Sequence, residues 1–262
     1  MEHPSVATAE RPGPQALRRQ QHRTAPTWQE AEVTAVIDEA RDAVTLRLRL
    51  GEAAGFLPGQ YYNVRLTVPG RPRPVQRAYS IGSSPAPDPS LIDLGVRAVP
   101  GGLLSPRLAS LHPGERLEVR GPYGRFTWDG CDAGPVLLVG AGSGMVPLMS
   151  MIRHAAHRGH QDPVVAVCSA ITYSHAFYRD ELAALVTRHS WLQVVHCITR
   201  DPAEPRARYH RRVDRTVLSE SLEGIHPSAA YLCGSPAMVE SVAAALVDLG
   251  VAPDAIGTEK YD

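Results

Sequence analysis

The 262-residue chain has little of several things. Lysine is nearly missing: Lys260 stands alone among 27 Lys plus Arg residues, and all the other cations are arginine. There is no excess charge of either sign, because 27 acids balance them. Bulk binding of nucleic acid or of an anionic membrane surface therefore has no electrostatic basis. The four cysteines, Cys131, Cys168, Cys197 and Cys233, form no C-x-x-C pair. That argues against a zinc or iron–sulfur site built by this chain alone. They are also too few and too scattered for a disulfide scaffold, so a reduced, cytoplasmic setting is expected. No apolar run approaches the roughly 20 residues of a membrane span, and no apolar stretch near Met1 resembles a secretory leader.

What is present is ordinary globular composition with a loop-rich tilt: 44% hydrophobic residues, 22 glycines and 23 prolines. The length suits one large or two small domains. Residues 1–27 carry Pro, Gln, Arg and Ala without periodicity and are expected to form a disordered tail. From about residue 30 to 128 the pattern has period two. Val44, Leu46, Leu48 and Leu50 alternate with Thr45, Arg47 and Arg49; Tyr62, Val64, Leu66 and Val68 alternate with polar neighbours. Short strands separated by Pro- and Gly-rich turns imply a small antiparallel barrel. Beyond Asp132 the pattern changes. Val136–Val139 is a continuous apolar run, as in a strand buried on both faces, and strand-like and helix-like stretches then alternate to the end. That alternation predicts a parallel α/β sheet, with a domain boundary at Asp129–Gly134.

Five short motifs fall on this frame. Gly140-Ala-Gly-Ser-Gly-Met-Val-Pro147 follows the buried strand and opens a helix; glycines there allow a tight turn and close approach to a pyrophosphate. Arg77-Ala-Tyr-Ser80 lies on a strand whose alternation puts Arg77 and Tyr79 on one face and Ser80 on the other. Gly101-Gly-Leu-Leu-Ser105 precedes a short helical pattern. Cys233-Gly-Ser-Pro236 ends a strand, and Glu259-Lys-Tyr261 lies at the C-terminus. Each alone also suits a purely structural role: a turn, a core cysteine, a surface tyrosine.

Taken together and in this order, the motifs resemble those of the ferredoxin–NADP reductase superfamily over roughly residues 30–262. The resemblance implies a β + α/β fold: an antiparallel flavin-binding β-barrel (28–130) followed by a parallel-sheet nicotinamide-binding α/β domain (131–262). It implies FAD as cofactor and NADPH or NADH as donor. By position, Arg77 would meet the flavin pyrophosphate, Tyr79 would stack on the flavin and Ser80 would bond near its N5. Val96, Arg97 and Ala98 would line the ring's other edge through backbone contacts. Gly102, Leu103 and Ser105 would cradle the pyrophosphate. Gly142, Gly144, Pro147 and Gly234 would shape the nicotinamide-nucleotide site. Ser80, Cys233 and Glu259 would frame the reacting rings, and Tyr261 would shield the flavin and move aside for nicotinamide. Thr199 and Arg200 would hold a 2′-phosphate, aided by the arginines at 206, 208, 211 and 212. Against NADPH stands Ile171, where many bacterial members carry a cation.

The expected activity is transfer of a hydride from NAD(P)H to FAD and onward transfer of electrons to a separate acceptor, such as a ferredoxin or an oxygenase component. No C-x4-C-x2-C segment for a fused cluster domain is present. Arg65, Arg71 and Arg73 are a candidate docking patch for an acidic partner, and the chain is expected to act as a monomer. Two alternatives remain open on sequence: a free-flavin or small-molecule reductase, and a non-catalytic subunit that uses the flavin as a redox sensor.

Overall fold

The computed structural model describes residues 25–130 and 134–261. Most of the expected tail, and the expected boundary at residue 131 with Cys131, lie outside the described residues.

The first half is a six-stranded, fully antiparallel sheet. Its strands are β1 (Gln29–Ala40), β2 (Ala43–Leu50), β3 (Tyr61–Leu66), β4 (Val75–Ser80), β5 (Leu91–Arg97) and β6 (Arg116–Tyr123), with a short helix α1 (Ser105–Ala109) after β5. The sheet order is β4-β3-β6-β1-β2-β5. A bridge between Ile81 and Leu94 brings its two edge strands together and curls the sheet into a barrel. The period-two apolar residues Leu46, Leu48, Tyr62 and Val64 fill its core, because alternate side chains of a strand share one face. Strand β1 has no clean alternation in sequence; its register shifts at Val33–Ala35 and Asp38–Ala40 break the period.

The second half is a five-stranded parallel sheet of β7 (Val136–Ala141), β8 (Val164–Ala170), β9 (Leu192–Ile198), β10 (Ala229–Gly234) and β11 (Ile256–Lys260), in the order β11-β10-β7-β8-β9. Helices α2 (Met145–Arg158) and α3 (Arg179–Arg188) cover one face. Helices α4 (Arg215–Leu222) and α5 (Pro236–Asp248) cover the other. Val136 and Leu138 pack on the first layer while Leu137 and Val139 pack on the second, which is why this strand reads as an unbroken apolar run. From β7 the chain winds outward through β8 and β9, then crosses back to β10 and β11. The switch point therefore lies between the carboxyl ends of β7 and β10, where ligands of such sheets bind.

Candidate functional site

At that switch point a cleft of about 1700 Å³ opens between the two halves. This exceeds the roughly 300–1,000 Å³ of a site for one drug-sized ligand. The barrel supplies β4, the end of β5 and the turn before α1; the parallel sheet supplies the loops after β7, β8, β9 and β10.

The glycines of the β7–α2 turn have separate jobs. Gly142 adopts φ of 54°, a left-handed conformation that only glycine takes without strain. Gly144 sits so close to β10 that a Cβ would lie 2.1 Å from the Cys233 carbonyl oxygen. Gly142 lines the cleft; Gly144 lies behind it and lets the turn close on β10, and Pro147 is buried in the first turn of α2. Gly102 is similar on the barrel side, where a Cβ would meet the Val99 carbonyl at 2.9 Å. Its loop is closed by the Val99 N–H, which donates to Ser105 Oγ at 3.1 Å. Gly142 in one turn and Gly102 in the other line the cleft with bare backbone, so both turns fit a ligand with phosphates. Arg77 strengthens that fit: it is exposed on the edge strand, its Nη1 donates to its own chain at the Gln76 carbonyl, and no carboxylate among the described residues pairs with it.

Ser80, Glu259, Tyr261 and Gly234 meet where β4 faces the C-terminal strand. Ser80 Oγ and the Tyr261 hydroxyl are 2.5 Å apart, the Tyr261 hydroxyl donates to Glu259 Oε2 at 3.2 Å, and the Tyr261 N–H donates to the Gly234 carbonyl at 2.9 Å. Burial raises the Glu259 carboxyl above its ordinary pKa. Tyr79 is half-buried beside them, its phenol pushed up to about 12 by burial. Cys233 is adjacent but fully buried, and burial pushes its thiol up to about 12. It is a neutral thiol in contact with Tyr261, not a thiolate.

Several expected positions sit differently. Val96 is in the barrel core, and the Ala98 N–H is already taken by the Asp42 carbonyl at 2.8 Å. Of the three residues at that edge, only Arg97 lines the cleft, with its Nε bonded to Asp42 Oδ2 at 2.8 Å. Leu103 is in the cleft wall and 42% exposed. Thr199 and Arg200 line the far end, held by backbone bonds to Ala170 and Ile171. Of the arginines after them, Arg206 is bound by Glu204, Arg208 by Glu223 and Arg211 by Asp214. Arg200 and Arg212 have no ion-pair partner among the described residues, and both line the cleft. Arg65 pairs with Glu118 at 2.6 Å and covers the Trp28 ring, so it is not a free charge for docking. Sequence reasoning missed Asp42, His175 and Val213 in the cleft wall; no motif marks them, because only the tertiary fold brings them there.

A barrel packed against a doubly wound sheet, with glycine turns on both sides of one cleft, is the build of a two-cofactor oxidoreductase. Comparison with known proteins specifies which. The oxidoreductase FAD-binding domain family matches residues 30–128, and the oxidoreductase NAD-binding domain family matches residues 138–244. The chain is 31% identical over 230 residues to the ferredoxin–NAD(P)+ reductase component of the naphthalene 1,2-dioxygenase/salicylate 5-hydroxylase systems of Ralstonia sp., covering 87% of this chain and 67% of that protein. It is 34% identical over 217 residues to ferredoxin–NADP reductase B of Sorangium cellulosum, covering 81% and 88%. Among solved structures, the cytochrome P450 reductase of Amycolatopsis superposes with a TM-score of 0.77 at 29% identity, covering 90% of this chain and 71% of that one. The chain belongs to the ferredoxin–NADP reductase-like family. It is an NAD(P)H-dependent FAD oxidoreductase that moves electrons from the nicotinamide nucleotide through the flavin to a partner.

Proposed function

We propose that this chain is the reductase of a multi-component system whose electron acceptor is an acidic ferredoxin or an oxygenase component. The observation that carries the reading is the junction of Ser80, Tyr261 and Glu259 at the mouth of a cleft shared by both domains. Bound FAD supplies the ring that takes a hydride from NAD(P)H and releases the electrons one or two at a time. The chain's own residues do the rest. Arg77 and the Gly102 cradle hold the flavin's phosphates, and Tyr79 covers its ring. The Gly142–Gly144 turn and Gly234 hold the nicotinamide nucleotide's phosphates. Ser80 would offer a hydroxyl to the flavin, and Glu259 would border the space the nicotinamide enters, with the buried Cys233 behind it. Tyr261 excludes water from that space until the nucleotide displaces it.

NADPH is the preferred donor in this reading. Arg200 and Arg212 line the same cleft as Thr199 and have no ion-pair partner among the described residues, which suits a 2′-phosphate. The docking patch is Arg71 and Arg73, exposed in the turn between β3 and β4, since a local basic cluster steers an acidic partner even in a neutral protein. The boundary between the two domains falls at residues 130–131. The setting is reducing and cytoplasmic, in keeping with the free buried thiols of Cys168, Cys197 and Cys233, and the active form is a monomer. No described helix is long and apolar enough to cross a membrane.

The test is a visible spectrum of the purified protein, followed by anaerobic titration with NADPH, then NADH, then a ferredoxin. Retained FAD bleached by NADPH and reoxidised by the ferredoxin is expected. A flavin that washes off and turns over as substrate would mean a free-flavin reductase. A bound flavin that no nicotinamide reduces would leave a redox-sensing subunit.

A further inference from the structure

We infer that Arg153 is a positioning residue for hydride transfer: its guanidinium locks the nucleotide-binding domain to the flavin-facing edge of the barrel and so fixes how the two reacting rings approach. The inference rests on the proposed function and extends it to a residue outside the cleft.

Arg153 lies on α2, the helix opened by the Gly142–Gly144 turn. Its Nε and Nη2 donate to Glu181 Oε1 and Oε2 of α3 at 2.9 and 2.6 Å. Its Nη1 crosses the domain boundary and donates to the Gly82 carbonyl at 2.8 Å. It also lies 3.6 Å from Asp93 Oδ2 on β5, and its cation covers the Tyr178 ring at 5.0 Å. Asp93 is 6% exposed and is forked in turn by Arg47 of β2 at 2.8 and 2.9 Å. Gly82 is two residues beyond Ser80, and Asp93 is four residues before Arg97. One guanidinium therefore joins the ends of both barrel edge strands to the helix that begins at the phosphate-binding turn.

The seam has no slack. A Cβ at Gly95 would lie 2.3 Å from Val146 Cγ2, and one at Gly82 would lie 2.7 Å from the Tyr178 hydroxyl. Ser150 Oγ, one turn before Arg153, donates to the Ser83 carbonyl at 2.6 Å. Packing sets how close the domains come, and Arg153 sets their register. Without its charge, Asp93 and Glu181 face one seam as like charges, and the Gly82 carbonyl loses its donor. A lysine cannot restore the arrangement, because an ammonium lacks the planar fork.

The test uses full-length FAD-loaded protein and the variants Arg153→Gln, Arg153→Lys and Asp93→Asn. Three quantities are measured: the saturating rate of flavin bleaching by NADPH, the Kd for NADP+, and amide hydrogen exchange at residues 80–84 and 92–97. In Arg153→Gln the saturating rate is expected to fall roughly ten-fold or more, since a misplacement of about 1 Å can cost about 100-fold. The Kd is expected to stay within about three-fold, the pattern of a lost transition-state alignment and not of lost binding. Exchange at both segments is expected to quicken, and Arg153→Lys to behave like Gln. A bleaching rate within two-fold of wild type in Arg153→Gln overturns the inference, as does unchanged exchange. Should that variant not fold, Asp93→Asn, which keeps the shape and removes one charge, decides on the same criteria. If NADPH does not bleach the wild type, the functional reading fails, and the exchange comparison alone judges the lock.

Discussion

Ser80 and Tyr261 are 181 residues apart in sequence, yet their hydroxyl oxygens lie 2.5 Å apart. The pair joins the last residue of an edge strand of the barrel to the segment just beyond the last strand of the parallel sheet. On the proposed function, the hydroxyl that would meet the flavin is engaged by the hydroxyl of Tyr261, whose ring would have to leave before nicotinamide enters. Tyr261→Ala removes that competition. The lost hydrogen bonds are worth about 1–1.5 kcal/mol net, so NADP+ should bind about ten-fold more tightly. An equilibrium titration measures it, and an unchanged or weaker Kd would show that Tyr261 does not occupy the nicotinamide's place.

Cys233 is a buried neutral thiol. Burial pushes it up to about 12, and only the thiolate is a good nucleophile. Iodoacetamide at pH 8 should leave Cys233 unmodified in the folded protein and label it after unfolding, as read by peptide mass spectrometry. Cys233→Ala should retain flavin but slow its reduction about ten-fold by loosening the wall beside the reacting rings. Unchanged single-turnover reduction would remove Cys233 from the site.

Gly144→Ala places a methyl 2.1 Å from the Cys233 carbonyl oxygen, a backbone atom that cannot swing away. Such overpacking typically costs about 1–3 kcal/mol. Thermal melts should show a drop of several degrees, about 2–4 °C per kcal/mol for a domain of this order of size. A Gly144→Ala protein as stable as wild type would contradict the close approach of β7 and β10.

His154 links the seam to acid stability. Burial lowers its pKa from 6.5 to about 4, and its Nδ1 lies 3.1 Å from Ser84 Oγ. Between pH 6.5 and 4 the unfolded chain binds a proton that the native protein does not. The resulting contribution to stability is full above pH 6.5 and is lost as pH falls toward 4. His154→Gln should flatten the stability curve in that window, as measured by urea midpoints at pH 7, 5.5 and 4.5. A curve of unaltered slope would mean that His154 does not titrate as described.

Arg200→Ala and Arg212→Ala should each raise KM for NADPH about ten-fold while leaving KM for NADH nearly unchanged, because a charge-assisted contact to phosphate is worth about 1.5–3 kcal/mol. Equal effects on both nucleotides would assign these arginines to something other than the 2′-phosphate.

Much of the architecture is legible in local sequence. Leu46 and Leu48 alternate with polar neighbours and point into the barrel; Val136–Val139 is apolar throughout because both its faces are covered. Strand β1 was not legible, because its register shifts break the period. Nor was β11, where Gly257, Thr258 and Lys260 give no apolar alternation and the strand exists by pairing with β10. Helix α4 begins at Asp214, whose side chain accepts the Val217 N–H, a cap hidden among arginines that suggest a solvated loop.

By itself, the sequence determined the order of the two folds and the places of the glycine turns, since periodicity and backbone freedom are local properties of the chain. The tertiary structure decided which charges remain available. Glu118 takes up Arg65, Glu204 takes up Arg206, and Arg200 and Arg212 are left facing the cleft. It also decided that Cys233 is buried in the core against which Tyr261 packs and that Arg153 spans two domains. Pairing and burial depend on which distant residues the fold brings within a few ångströms, and no spacing along the chain encodes that distance.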